Sequence, residues 1–218
     1  NMVAHEIKNG IFGISINDRT TDLFEGVWPI SKEGVTYNSY IIKDKKNVLI
    51  DLAKDFKTDT LLSLIEEIVE VSALDYVVIN HMEPDHTGAI KTLLHANPNI
   101  KILCTPKAKP MLEHYYGITD GIEAVADGES KSIGSRTLCF YHVPFVHWPE
   151  TMATYIPEDR VLFSCDAFGS YGVLPGAVFD DECHDLEYYK KEALRYYTNI
   201  VAKFSKPTLN AIKKLEGI

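Results

Sequence analysis

The stretch VVINHMEPDHTG, Val77 to Gly88, sets His81, Glu83, Asp85 and His86 within six residues, directly after an apolar run. A surface turn has no need of so much imidazole and carboxylate, whereas a metal site is built from these donors. The preceding Tyr76–Ile79 is apolar throughout and reads as a strand buried on both faces. On a continued strand His81, Glu83 and Asp85 would share one side. Pro84 breaks the strand, however, and predicts a loop whose side chains can fold around one point. The alternative is a solvated turn in which Asp85 or Thr87 caps the next helix.

Two further candidates follow strands in the same way. His147 lies in PFVHWPE, after a strand at Arg136–Val143, and Asp166 lies in SCDAFG, after a strand at Val161–Ser164. Three strand ends then converge and bring three histidines and three carboxylates. That is too many for one ion, but it suits two ions that share a bridging carboxylate. His5, His95, His114, His142 and His184 have no such company and read as ordinary surface or core residues.

Outward from this centre the chain alternates. GIFGISI (Gly10–Ile16), VTYNSYII (Val35–Ile42) and NVLIDL (Asn47–Leu52) read as strands, with KDKK (Lys43–Lys46) as a hairpin turn. Asp55 or Thr58 is placed to cap a helix with an apolar stripe at Leu61, Leu62, Ile65, Ile68 and Val69. A short helix around Ile90–Leu94, a strand at Ile100–Cys104 and a helix around Pro106–Tyr116 come next. The pattern then returns to strands: IEAVA from Ile122, Arg136–Val143, Met152–Ile156 and Val161–Ser164. The end is helical, His184–Phe204 and then TLNAIKKLEGI, with Ser205 and Pro207 as cap and first-turn proline. This order predicts an α/β (α+β) fold in which two sheets pack face to face with helices outside, a four-layer αββα sandwich. Tyr188, Tyr189, Tyr196 and Tyr197 recur at a spacing that puts them on one packing face.

With 218 residues, 45% of them hydrophobic, and no repeat or linker, the chain is expected to form one domain over residues 1–218. A net charge of -9 argues against nucleic acid or an acidic membrane as partner. No apolar run reaches the length of a membrane span and no secretory pattern opens the chain, so a cytoplasmic location is expected. Asn1, ahead of Met2, is read as an addition to a native start. Cys104, Cys139, Cys165 and Cys183 form no CxxC pair and read as buried free thiols.

H-x-E-x-D-H, a histidine 61 residues on and an aspartate 19 residues after that closely resemble the pattern of the flavodiiron proteins, a branch of the metallo-β-lactamase fold. VTYNSYIIKD, NHMEPDHTG, HWPETM, SCDAFGSYG and FDDE agree with that branch, so the resemblance covers nearly the whole chain. The zinc hydrolases of the fold carry histidine where Glu83 stands; a hard anionic carboxylate suits iron better than an all-imidazole set does. The resemblance implies a diiron centre with His81, Glu83 and His147 on one iron, Asp85 and His86 on the other, and Asp166 bridging. It implies reduction of O2 to water, of NO to N2O, or both, with electrons from FMN in a flavodoxin-like domain and from a rubredoxin-like or other donor. It also implies a homodimer or homotetramer. Trp148, Phe145 and Tyr171 are expected as apolar walls, and Cys165 as a buried bystander. The family pattern has a further histidine and the flavin domain after the point where this sequence stops, so the chain is expected to lack both and to be inactive alone. A dinuclear zinc hydrolase and a metal-free domain are the competing expectations.

Overall fold

Successive residues of the central strands point to opposite faces, and here both faces are apolar. Ile41, Leu49, Val77 and Ile102 join the core on one side of the sheet, while Ile42, Val48, Ile50, Val78 and Leu103 join the core on the other. A sheet of this kind must be covered twice, and it is. The computed structural model describes residues 2–173 and 179–218.

The strands are β1 (Met2–Lys8), β2 (Ile11–Asp18), β3 (Leu23–Phe24), β4 (Trp28–Pro29), β5 (Val35–Ile42), β6 (Asn47–Ile50), β7 (Leu74–Val78), β8 (Lys101–Cys104), β9 (Ile122–Ala124), β10 (Ser130–Ser132), β11 (Thr137–His142), β12 (Met152–Ile156) and β13 (Val161–Phe163). The helices are α1 (Thr58–Glu66), α2 (Pro84–Thr87), α3 (Ile90–Ala96), α4 (Ala108–Tyr116), α5 (Leu186–Tyr196) and α6 (Ser205–Leu215). A seven-stranded sheet runs in the order β1-β2-β5-β6-β7-β8-β9, and a four-stranded one in the order β10-β11-β12-β13. Strands β6 to β9 pair in parallel, whereas every pairing in the smaller sheet is antiparallel.

Between the sheets, Ile42, Val48, Ile50 and Val78 meet Leu138, Phe140, Met152 and Ile156. Outside the larger sheet lie Leu61 and Ile65 of α1, Ile90 and Leu93 of α3 and Leu112 of α4. On the far side, Ala211 and Leu215 of α6 cover Val143 and Val146. This is the expected four-layer sandwich.

The parallel strands fix the site. β6 and β7 run side by side, so Asp51 and the Asn80–His81 segment emerge at the same end of the sheet. The Asn80 amide donates to Asp51 Oδ1 at 2.9 Å, the Leu52 amide to the His86 carbonyl at 2.9 Å, and the Met152 amide to the Asn80 carbonyl at 2.9 Å. Gly88 closes the segment: a Cβ there would stand 2.5 Å from the Asp55 nitrogen and 2.8 Å from the Pro84 oxygen. Only glycine fits so close a crossing of backbones.

Several local expectations need correction. Pro84 does not open an irregular loop; it occupies the first turn of α2, where its missing N–H costs nothing. Neither Asp85 nor Thr87 caps a helix, since Thr87 Oγ1 turns back to the Met82 and Glu83 carbonyls. Asp55 and Thr58 provide no side-chain cap to α1 either. The long terminal helix is broken by a π turn at Tyr197–Val201 and a 3-10 turn at Ala202–Phe204. Tyr196 is buried against Phe24 and Tyr171, while Tyr197 is exposed, so the four tyrosines do not share one face. All four thiols are free, but only Cys104 is fully buried.

Candidate metal centre

His81, Glu83 and His147 close on one point. Glu83 Oε2 lies 3.2 Å from His81 Nε2 and 3.1 Å from His147 Nε2, and the two Nε2 atoms are 3.3 Å apart. Asp166, on a turn just after β13, reaches the same point with Oδ2, 3.3 Å from His147 Nε2 and 3.5 Å from His81 Nε2. Its other oxygen, Oδ1, is 2.9 Å from His86 Nε2. Asp85 stands further out, with Oδ2 3.7 Å from His86 Nε2 and Oδ1 buried without a hydrogen-bond partner. The sequence-predicted residues thus come together as a four-donor cluster and a looser pair, with Asp166 touching both.

The electrostatics are those of a site built around cations. Among the described residues, no Lys or Arg forms an ion pair with Glu83, Asp85 or Asp166; only histidines do. Burial raises Asp85 to about 6, helped by its neighbours Glu83 and Asp166 and opposed by His86. Burial opposes charge on His81 and His147, but Glu150 and Glu83 around the first, and Asp166 and Glu83 around the second, raise them to about 9 and about 10. Glu25, on an exposed turn between β3 and β4, is raised to about 8 by desolvation of its carboxyl where it faces Glu83.

These shifts carry a sign. The two histidines, raised from 6.5, stabilise the metal-free fold fully below pH 6.5, and that contribution is lost as the pH rises through 9 to 10. Asp85 and Glu25 are also raised, so their cost builds from the ordinary carboxylate range up to about 6 for Asp85 and about 8 for Glu25, and levels off above. Glu83 and Asp166 are held low by the histidines despite burial, and protect only against acid. The metal-free protein should therefore lose at least about 5 °C of melting midpoint between pH 6 and 10, and bound metal should remove the loss. A flat or rising midpoint over that range would show that the cluster is not under this strain.

Sequence reasoning missed three neighbours, Glu150, Glu25 and Asp51. Glu150 accepts from His81 Nδ1, and Glu25 meets Glu83. Asp51 Oδ2 and Cys165 Sγ both lie 3.7 Å from His86 Nδ1, and Cys165 is only partly buried. Asp51 had a signal: it ends a parallel strand, as the segment bearing His81 does. Of the expected walls, Trp148 packs on His81 with the rings nearly perpendicular and their centroids 4.9 Å apart, and Tyr171 is buried beside the site. Phe145 is 41% exposed and packs on Phe204 instead. Asp85, His86 and Asp166 open on a cavity of about 460 Å³ that Tyr37, Tyr171 and Tyr196 help to line.

Residues 35–216, most of the chain and the whole of this site, match the family described as ODP family beta lactamase. The chain belongs to the ODP family. A nitric oxide reductase of Moorella thermoacetica is 34% identical over 213 residues, 97% of this chain and 53% of that protein. Among solved structures, the rubredoxin oxygen:oxidoreductase of Desulfovibrio gigas superposes with a TM-score of 0.94 at 31% identity, covering 99% of this chain and 53% of that one. The flavodiiron protein of Giardia intestinalis gives 0.91 at 33%, covering 98% and 51%. This ODP-family chain thus corresponds to the metallo-β-lactamase-like domain of flavodiiron proteins, and it spans about half the length of the relatives it matches.

Proposed function

We propose that this ODP domain is the diiron domain of a flavodiiron oxidoreductase that reduces O2 to water, NO to N2O, or both. The observation that carries the reading is the convergence of one carboxylate, Glu83, with His81 and His147 at hydrogen-bonding distance around a single point, beside an Asp166 that also reaches His86. Buried anions that have no Lys or Arg partner among the described residues, and the orphaned Asp85 Oδ1, fit a pair of cations. His81, Glu83 and His147 would hold the first iron, Asp85 and His86 the second, and Asp166 both. The names of the relatives support the reading: one is a nitric oxide reductase, another a rubredoxin oxygen:oxidoreductase.

When bound, the two irons supply the electrons and the open positions at which a diatomic substrate is reduced. The chain's own residues do the rest. Trp148, packed against His81, helps keep solvent from the first position, and the cavity beside Tyr171 and Tyr196 gives small molecules room next to Asp85, His86 and Asp166. Residues 1–218 act as one domain in this reading. FMN of the flavodoxin-like domain delivers electrons from a rubredoxin-like or other donor, and a homodimer or homotetramer brings flavin and iron together. A cytoplasmic location is part of the same proposal. Among the described residues no helix is long and apolar enough to cross a membrane.

Elemental analysis of the chain purified without oxygen tests the proposal. Iron well above zinc, between about one and two per chain, is expected for a two-metal site. Zinc in its place, retained after expression in iron-rich, zinc-poor medium, would favour a dinuclear hydrolase.

A further inference from the structure

A histidine ligand is only as good as the partner on its other ring nitrogen. For His81 that partner is Glu150. Its Oε1 lies 2.7 Å from His81 Nδ1 and accepts from the Met82 amide at 2.7 Å, so one oxygen fixes both the ring and the backbone next to it. Glu150 is itself fixed, because Thr105 Oγ1 donates to its carbonyl at 2.9 Å. The other neighbour of His81 Nδ1, Thr151 Oγ1, is 3.5 Å away and already donates to the Trp148 carbonyl. Both side chains are sealed: Glu150 is 2% exposed and His81 0%.

A carboxylate in such a place is costly. Glu150 Oε2 has no hydrogen-bond partner among the described residues, and no Lys or Arg pairs with it. A neutral acceptor would serve the Met82 amide equally well, so packing alone does not call for a charge here. Directed at an imidazole, the charge has a use. It holds the proton on Nδ1, so that Nε2, facing Glu83 and His147, is the nitrogen that gives up its proton when a metal binds.

We propose that Glu150 is the positioning residue of the first metal position: it holds the Nδ1–H of His81 and so turns Nε2 into the cluster. The inference rests on the metal reading above but not on which metal is bound. It extends the site from six residues to a seventh that touches no metal, three positions after His147 in HWPE.

Two readouts test it. In 15N-labelled metal-free protein, His81 should show a slowly exchanging, downfield Nδ1 proton that is absent in Glu150→Ala; its absence from the wild type would overturn the proposal. Titrations with Fe2+ and with Zn2+ should show affinity for the first equivalent falling roughly 10- to 100-fold in Glu150→Ala, and less in the isosteric Glu150→Gln, which keeps an acceptor but loses the charge. The second equivalent should be little changed. If Glu150→Ala does not fold, Glu150→Gln decides: folded and with unchanged affinity for both metals, it overturns the proposal. Zinc preference in the wild type with the Glu150 effect intact would sink the diiron reading alone. Iron preference with no Glu150 effect would sink this inference alone.

Discussion

Replacing Asp166 by asparagine weakens both metal positions together, by at least about tenfold each, the scale of losing an anionic ligand from an N/O site. The geometry requires the double effect. Oδ1 is 2.9 Å from His86 Nε2, and Oδ2 is 3.3 Å from His147 Nε2 and 3.5 Å from His81 Nε2, so one carboxylate faces both groups of donors. Asparagine keeps the shape and one acceptor oxygen but loses the charge and turns an NH2 toward one side. The histidines also hold Asp166 well below the usual carboxylate range against the push of burial, so its anionic form is the one the site is built around. Metal equivalents per chain, read by titration with Fe2+ and by elemental analysis, should fall for the first and second ion alike, while far-ultraviolet circular dichroism stays that of the wild type. Loss of one equivalent with the other untouched would remove Asp166 as the bridge and leave it as a ligand to one position.

The same residues show what could be read without coordinates. His81, Glu83, Asp85 and His86 are dense enough in six residues to stand out, and His147 and Asp166 each follow a strand whose apolar pattern is plain. The sandwich was legible for the same reason, since strands such as Val35–Ile42 agree to the residue with their pattern. What escaped lacks a pattern of its own. β1 is an edge strand carrying His5, Glu6 and Lys8, and β10 is the polar Ser130–Ser132; each is defined by the neighbour it pairs with rather than by its composition. The bend between α5 and α6 has no glycine or proline before Pro207 to announce it. Glu150, Asp51 and Glu25 sit beside the predicted donors from positions 69, 35 and 58 residues away in the sequence. Contact of that kind is fixed by topology, and a local motif does not contain it.

Glu83 separates the two chemistries open to this fold, and exchanging it for histidine should move the chain from one toward the other. Glu83 is buried and places one oxygen 3.2 Å and 3.1 Å from the Nε2 atoms of His81 and His147. In Glu83→His the first position becomes three imidazoles and loses one negative charge from a site whose carboxylates pair, among the described residues, only with histidines. Imidazole is the natural ligand of zinc, whereas the harder carboxylate favours iron, most of all when it is oxidised. In competition between Fe2+ and Zn2+ the ratio bound at the first position should shift toward zinc by at least about tenfold. Glu83→Asp separates charge from reach: it keeps the carboxylate on a shorter stem, so occupancy should drop without a change of preference. The exchange also removes the carboxylate that Glu25 faces, and with it one of the causes that hold Glu25 near 8. A Glu83→His protein that binds iron and zinc in the wild-type ratio would mean that preference is set by the surrounding carboxylates, Asp166 and Asp85, and that the identity of the third position is incidental.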